Sequence, residues 1–134
     1  MFPFSSASFA PQTDIPSLTG KVIVITGSNG GLGYESLIHL ASHSPSKIYL
    51  CARSKEKYDN ALKGISAAVP DAPNFVKYLE LDLASLSSVK KAAETFSAEN
   101  DRLDVLMNNA GIMAQPPALT KDRFEIQFGT NHVV

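Results

Sequence analysis

The sequence has a single cysteine, Cys51, so no intrachain disulfide can form and a disulfide-stapled secreted domain is excluded. Its histidines, His39, His43 and His132, have no cysteine or histidine partner at ligand spacing, so no metal site is expected. A surplus of positive charge is also missing. Twelve basic against thirteen acidic residues leave a net charge of −1, whereas a general binder of nucleic acid or anionic membrane needs a basic excess. The longest aliphatic run, residues 22–25, falls far short of the ~20 residues of a membrane helix. The first 19 residues contain no basic residue and no apolar stretch of ~7–15, so no targeting signal is expected and the cytosol is the default compartment.

What is present is the material of one domain. The 134 residues are 44% hydrophobic and 19% charged, enough apolar content to bury a core. Residues 1–19 carry Pro3, Pro11 and Pro16 among serines and read as an irregular, mobile arm. Phe2, Phe4 and Phe9 are its candidate docking groups, on the body or on a partner. Residues 20–134 form the predicted domain.

Along that domain short β-branched runs alternate with amphipathic stretches. Residues 21–26 (KVIVIT), 47–52 (KIYLCA), 75–81 (FVKYLEL) and 103–107 (LDVLM) read as strands, the first as one buried on both faces. Helical stripes fall between them: Leu32, Leu37, Ile38, Leu40 and Ala41; then Tyr58, Ala61, Leu62, Ile65 and Val69; then Leu86, Val89, Ala92, Ala93 and Phe96. Ser85 is a predicted N-cap, and residues 71–74 a loop. Asp122 with Glu125 has the spacing of a capping box, opening a last helix with Phe124 and Phe128 one turn apart. The order β-α-β-α-β-α-β-α predicts an α/β fold, a doubly wound parallel sheet of Rossmann type.

The glycines fix where chemistry is expected. Gly27, Gly31 and Gly33 lie between the first strand and its helix, spaced G-x-x-x-G-x-G rather than G-x-G-x-x-G. Such a loop needs residues without a side chain, because the backbone must turn sharply and approach a diphosphate closely. Free N–H groups and the positive end of the helix dipole then face the anion. The plainer alternative is a tight turn. At the end of the second strand an acid would accept from a ribose 2′-hydroxyl, and an arginine would accommodate a 2′-phosphate. Arg53 stands there and no acid does, so NADP(H) is predicted over NAD(H), with Lys55 or Lys57 as helpers. The alternative is that Arg53 is merely solvated.

Together these segments resemble the short-chain dehydrogenase/reductase family, in its retinol-dehydrogenase-like branch. TGSNGGLG, with Thr26, Gly27, Ser28, Asn29, Gly31, Leu32 and Gly33, resembles the family's cofactor loop. Asp82, followed by Leu83, resembles its adenine-binding acid, and NNAG, with Asn109, Ala110 and Gly111, its motif after the fourth strand. FGTNH resembles the segment carrying a catalytic asparagine, here Asn131. The resemblance implies a nicotinamide dinucleotide as partner and, in full-length relatives, hydride transfer to or from a small-molecule alcohol/carbonyl pair. Plainer readings stay open: Asp82 as an acceptor at a helix start, Asn108 and Asn109 as turn residues, Asn131 as a packing residue.

The resemblance covers the N-terminal half of the family's domain. The family's reaction uses a serine and a Tyr-x-x-x-Lys pair. Here Tyr34 is followed at that spacing by Ile38, Tyr49 by Arg53, Tyr58 by Leu62 and Tyr78 by Asp82. The expectation is a fold truncated after the fourth strand and the start of the following helix, binding cofactor without turning it over. Its last strand would expose an apolar edge open to oligomerisation. The alternative function is a non-catalytic, nucleotide-binding or sheet-completing interaction module.

Overall fold

The β-branched run after Lys21 builds the centre of a sheet. In the computed structural model, which describes residues 8–134, strand β1 (Val22–Ile25) is buried along its whole length. Its alternation feeds both faces. Ile23 and Ile25 join Leu37, Ile48, Leu50 and Ile65 on one side; Val22 and Val24 join Tyr49, Cys51, Leu79 and Ala92 on the other. Two apolar faces on one strand require a helical layer on each side.

Strands β2 (Lys47–Ala52), β3 (Val76–Glu80) and β4 (Val105–Met107) complete a four-stranded parallel sheet in the order β3-β2-β1-β4. Val105, Ile23, Ile48 and Val76 lie in one row across it. Helices α2 (Gly31–Ala41) and α3 (Lys55–Ala68) cover the Ile23 face through Leu37, Tyr58 and Ile65. Helix α5 (Leu86–Glu99) covers the other face through Ala92 and Phe96. This is the doubly wound arrangement that the alternation of patterns predicts. Among the described residues no helix is long and apolar enough to cross a membrane.

Three local features differ from the sequence expectation. Within the arm, Pro11–Asp14 forms a helical turn, α1, closed by the Ala10 N–H donating to Asp14 Oδ2 at 2.7 Å. Leu18 then packs on the core, its N–H donating to the His43 carbonyl at 2.8 Å. Phe9 is 66% exposed, while Phe2 and Phe4 lie outside the described residues. Second, the expected loop at 71–74 contains a helical turn, α4 (Ala72–Phe75), started by Pro73, whose missing N–H costs nothing in a first turn.

The third difference is the capping box. Asp122 and Glu125 do not open the same helix. Glu125 alone caps α6 (Ile126–Phe128), its carboxylate accepting from the N–H groups of Gln127 at 3.1 Å and Phe128 at 2.7 Å. Asp122 Oδ2 instead accepts from Leu86 N at 2.7 Å, at the start of α5. The chain reverses between them, with Arg123 at φ +68° and Leu119 bridged antiparallel to Glu125. Phe124 therefore precedes the helix rather than lying on it, and α6 runs on as a π-helical turn over Gly129–Val133.

Candidate functional site

The turn from β1 into α2 needs glycine for two separate reasons. Gly27 and Gly31 adopt φ of +65° and +59°, a region other L-residues enter at a cost of roughly 1–2 kcal/mol. Close packing is the second reason. A Cβ on Gly27 would stand 2.9 Å from Ala110 Cα, and one on Gly33 would strike Asn109 Nδ2 and lie 2.8 Å from the Gly27 carbonyl. Around Gly31, beyond its chain neighbours and its own helix, no atom of the described residues comes within 4 Å of where a Cβ would be, so that side of the loop is open.

The start of α2 carries no side-chain cap. By contrast, the Ser54 hydroxyl caps α3 and the Ser85 hydroxyl caps α5. The first-turn N–H groups of α2 therefore keep their donors and partial positive charge for an external acceptor. An anion such as a diphosphate fits that position.

Opposite the loop, the segment after β4 is fixed by directed bonds. Thr26 Oγ1 accepts from Asn109 N at 3.0 Å and Ala110 N at 2.9 Å. Asn109 Nδ2 returns a bond to the Thr26 carbonyl at 2.9 Å. Asn131 lies one segment further out. Its Oδ1 accepts from Ile112 N at 2.9 Å, and its Nδ2 donates to the Ile112 carbonyl at 2.8 Å.

Between these walls a crevice of about 450 Å³ runs beyond the carboxyl ends of all four strands. It spans β1 and β4, where the direction of chain winding reverses, the usual ligand position in open α/β sheets. Thr26, Gly27, Asn29, Arg53, Asp82, Leu83, Ala110 and Gly111 all line it. The other sequence candidates lie apart from its lining. Ser28 is buried, with its hydroxyl donating to the Ile25 carbonyl at 2.8 Å. Gly31, Leu32 and Gly33 form the first turn of α2, where Leu32 is 82% exposed. Asn109 and Asn131 brace the backbone as described.

Several lining residues lie outside the motif candidates. Cys51 and Ala52 follow from strand alternation just before Arg53, but Ile112, Gln115, Ile126 and Thr130 arrive only because the chain folds back after β4. The Thr130 hydroxyl oxygen is buried without a hydrogen-bond partner among the described residues. Burial pushes the Cys51 thiol up to about 12, which leaves it protonated and unreactive near neutrality.

The charges are arranged around Asp82. Burial alone would raise its carboxyl. The Lys121 ammonium at 3.0 Å, the Ala84 N–H at 3.1 Å and the nearby Arg53 outweigh that and hold it below the usual carboxylate range. Asp82 is thus an ionised acceptor beside the crevice, and its plainer role at the start of the following turn is present as well. Arg53 is exposed and makes no hydrogen bond or ion pair with other described residues.

Parallel strands in the order 3-2-1-4, with a crevice past their carboxyl ends and an uncapped helix beside it, define a Rossmann-type dinucleotide-binding fold. The family is equally plain. The short chain dehydrogenase family model matches residues 21–133, and the chain belongs to that family. An uncharacterized oxidoreductase of Schizosaccharomyces pombe is 46% identical over 120 residues, which is 90% of this chain and 34% of that protein. A crystal structure of an uncharacterized protein from Mycobacterium paratuberculosis superposes with a TM-score of 0.71 at 41% identity, covering 90% of this chain and 40% of the other. A metagenomic short-chain oxidoreductase solved in complex with NADP gives a TM-score of 0.61 at 32% identity, covering 71% of this chain and 41% of the other. The chain spans about a third of the length of its Schizosaccharomyces pombe relative.

Proposed function

We propose that this chain binds NADP(H) in preference to NAD(H), as the cofactor-holding part of an oxidoreductase acting on an alcohol/carbonyl pair. Arg53 carries the reading. It is a guanidinium at the end of β2, unpaired among the described residues and lining the crevice where an NAD-binding site would offer a carboxylate. A charge-assisted bond to a 2′-phosphate contributes roughly 1.5–3 kcal/mol, a ten- to hundredfold preference. The NADP complex of the metagenomic oxidoreductase supports the same choice.

Each remaining candidate except the buried Ser28, whose hydroxyl serves the Ile25 carbonyl, has an assigned task. The first-turn N–H groups of α2, from Gly31 to Gly33, hold the diphosphate, with Asn29 beside them. Asp82 accepts from the adenine amino group, next to the Leu83 backbone. Ala110 and Gly111 form the crevice wall, kept in place by Thr26 and Asn109. Asn131, which resembles the family's catalytic asparagine, acts here as a positioning residue, because both its amide atoms are engaged with Ile112. When bound, the nicotinamide supplies or accepts the hydride. Residues 1–134 contain no Tyr-x-x-x-Lys pair, so on their own they bind without turnover. The cytosol is the compartment proposed, consistent with one unpaired cysteine.

Calorimetric titration of the chain with both nucleotides tests this. NADP⁺ is expected to bind ten- to hundredfold tighter than NAD⁺, with Arg53→Ala removing most of the difference. Gly31→Val is expected to weaken both. Equal affinities in the native chain, or an indifferent Gly31→Val, overturn the reading. NADPH-dependent carbonyl reduction at ordinary enzyme rates overturns the inactivity of residues 1–134.

A second reading has one observation behind it. Val105 and Leu106 of β4 are 39% and 52% exposed, so this edge is open to another strand. A sheet-completing interaction module would be dimeric or heteromeric through β4, and a well-folded monomer in size-exclusion chromatography counts against it.

A further inference from the structure

The crevice wall formed by Asp82, Leu83 and Ala84 is held from behind, by a stretch of chain that does not line the crevice. Residues 119–125 make a tight reversal. Leu119 bridges Glu125, the Thr120 N–H donates to the Phe124 carbonyl at 2.8 Å, and the Thr120 hydroxyl accepts from the Phe124 N–H at 3.1 Å. Thr120 is buried, and a Cβ on Gly129 would strike its methyl group. A turn braced on both sides holds the residues at its tip in fixed places.

That tip grips the loop between β3 and α5 by three bonds. The Lys121 N–H donates to the Ala84 carbonyl at 2.9 Å. The Lys121 ammonium donates to Asp82 Oδ2 at 3.0 Å. Asp122 Oδ2 accepts from Leu86 N at 2.7 Å. The backbone bond roots the lysine two residues from the carboxylate that its side chain reaches. The other carboxylate oxygen, Asp82 Oδ1, accepts from the Ala84 N–H at 3.1 Å. A carboxylate offers about four acceptor sites. Lys121 and Ala84 take one on each oxygen, so each oxygen keeps capacity for a further donor. The group cannot rotate without breaking two bonds.

We infer that Lys121, projected by the 119–125 turn, is the positioning residue that locks the Asp82 carboxylate at the crevice wall for the 6-amino group of adenine. The inference rests on the reading of Asp82 as the adenine acceptor. Lys121 is not among the lining residues, so it acts through Asp82. Without it the carboxylate is free to turn, and the charge of Arg53, which lines the same crevice, already acts on it. Ordering one mobile side chain on binding costs about threefold to tenfold in affinity. With Lys121 in place the carboxylate is ordered before any nucleotide arrives.

The test is calorimetric titration of the native chain, Asp82→Ala, Lys121→Ala and Lys121→Arg with NADP⁺ and with its hypoxanthine analogue, in which a 6-oxo oxygen replaces the 6-amino group. That oxygen meets the carboxylate as a second acceptor, so the native chain is expected to prefer NADP⁺ by about tenfold. Asp82→Ala removes the preference. Lys121→Ala lowers it to about threefold or less, by weakening NADP⁺ more than the analogue, and Lys121→Arg keeps it. A lysine that only stabilises the fold, or only attracts the nucleotide by its charge, moves both affinities together. A Lys121→Ala chain with an intact preference, whatever its absolute affinities, therefore overturns the positioning role while leaving the Asp82 reading in place. If the native chain binds both nucleotides alike or binds neither, or if Asp82→Ala keeps the preference, the Asp82 reading falls and this inference with it.

Discussion

The two flanks of β1 are held by different forces. On the β2 side, Ile23, Ile25, Ile48, Leu50, Leu37 and Ile65 are all fully buried beneath α2 and α3. On the β4 side, Val105 and Leu106 are substantially exposed. There the strand is joined by directed polar bonds. Asp104 accepts from Val22 N at 2.9 Å, and Thr26 gathers the N–H groups after β4. Burial is strong but has little direction; hydrogen bonds are individually modest but fix atoms in place. The first flank supplies stability, and the second sets the geometry of the crevice wall.

Truncating the buried flank should do the greatest damage. Leu37→Ala removes a fully buried side chain under β1 and is expected to cost about 2–5 kcal/mol in denaturant unfolding. A loss below about 1 kcal/mol would mean that the buried flank is not the main source of stability.

On the other flank, Thr26→Val keeps the shape and removes the acceptor for two N–H groups. It is expected to cost about 1–3 kcal/mol and to speed hydrogen exchange at Asn109 and Ala110 more than at β2 amides. Uniform acceleration across the sheet would erase the distinction between the flanks.

The smallest effect concerns Asp82. Its folded carboxyl lies below the ordinary value of ~3.9, so its ionised pairing stabilises the fold above that pH. The contribution is lost as pH falls through the lower folded value. Asp82→Asn should therefore cost no more than about 1 kcal/mol of stability near neutrality, as for a partly exposed pair, read as a slightly lower Tm, and should match the native chain in acid. A deficit that persists unchanged in acid would assign it to packing instead.

Most of the sheet is legible in the sequence because its signals are local. A strand buried on both faces must be apolar at consecutive positions, as residues 22–25 are, and glycine clusters mark turns. The crevice is legible where a residue follows directly from a strand end, as Arg53, Asp82 and Ala110 do. It is not legible where the partner is remote. Asp122 has the spacing of a local cap, yet it serves Leu86, 36 residues earlier. Thr26 and Asn109 look like cofactor contacts in the motif, and their side chains turn out to brace one another's backbone. Lys55 and Lys57 are indistinguishable as letters; an Asp59 at helical spacing is the local clue that one of them is already paired.

Gly33 leaves a void that Asn109 Nδ2 occupies, and Gly27 leaves one that Ala110 fills. The glycine-rich loop and the NNAG segment are thus two halves of a single interlocking joint, although they lie far apart along the chain. Neither half can gain bulk unless the other gives it up, so evolution would have to edit them in tandem, and a repositioned first helix would carry the opposite wall of the crevice along with it.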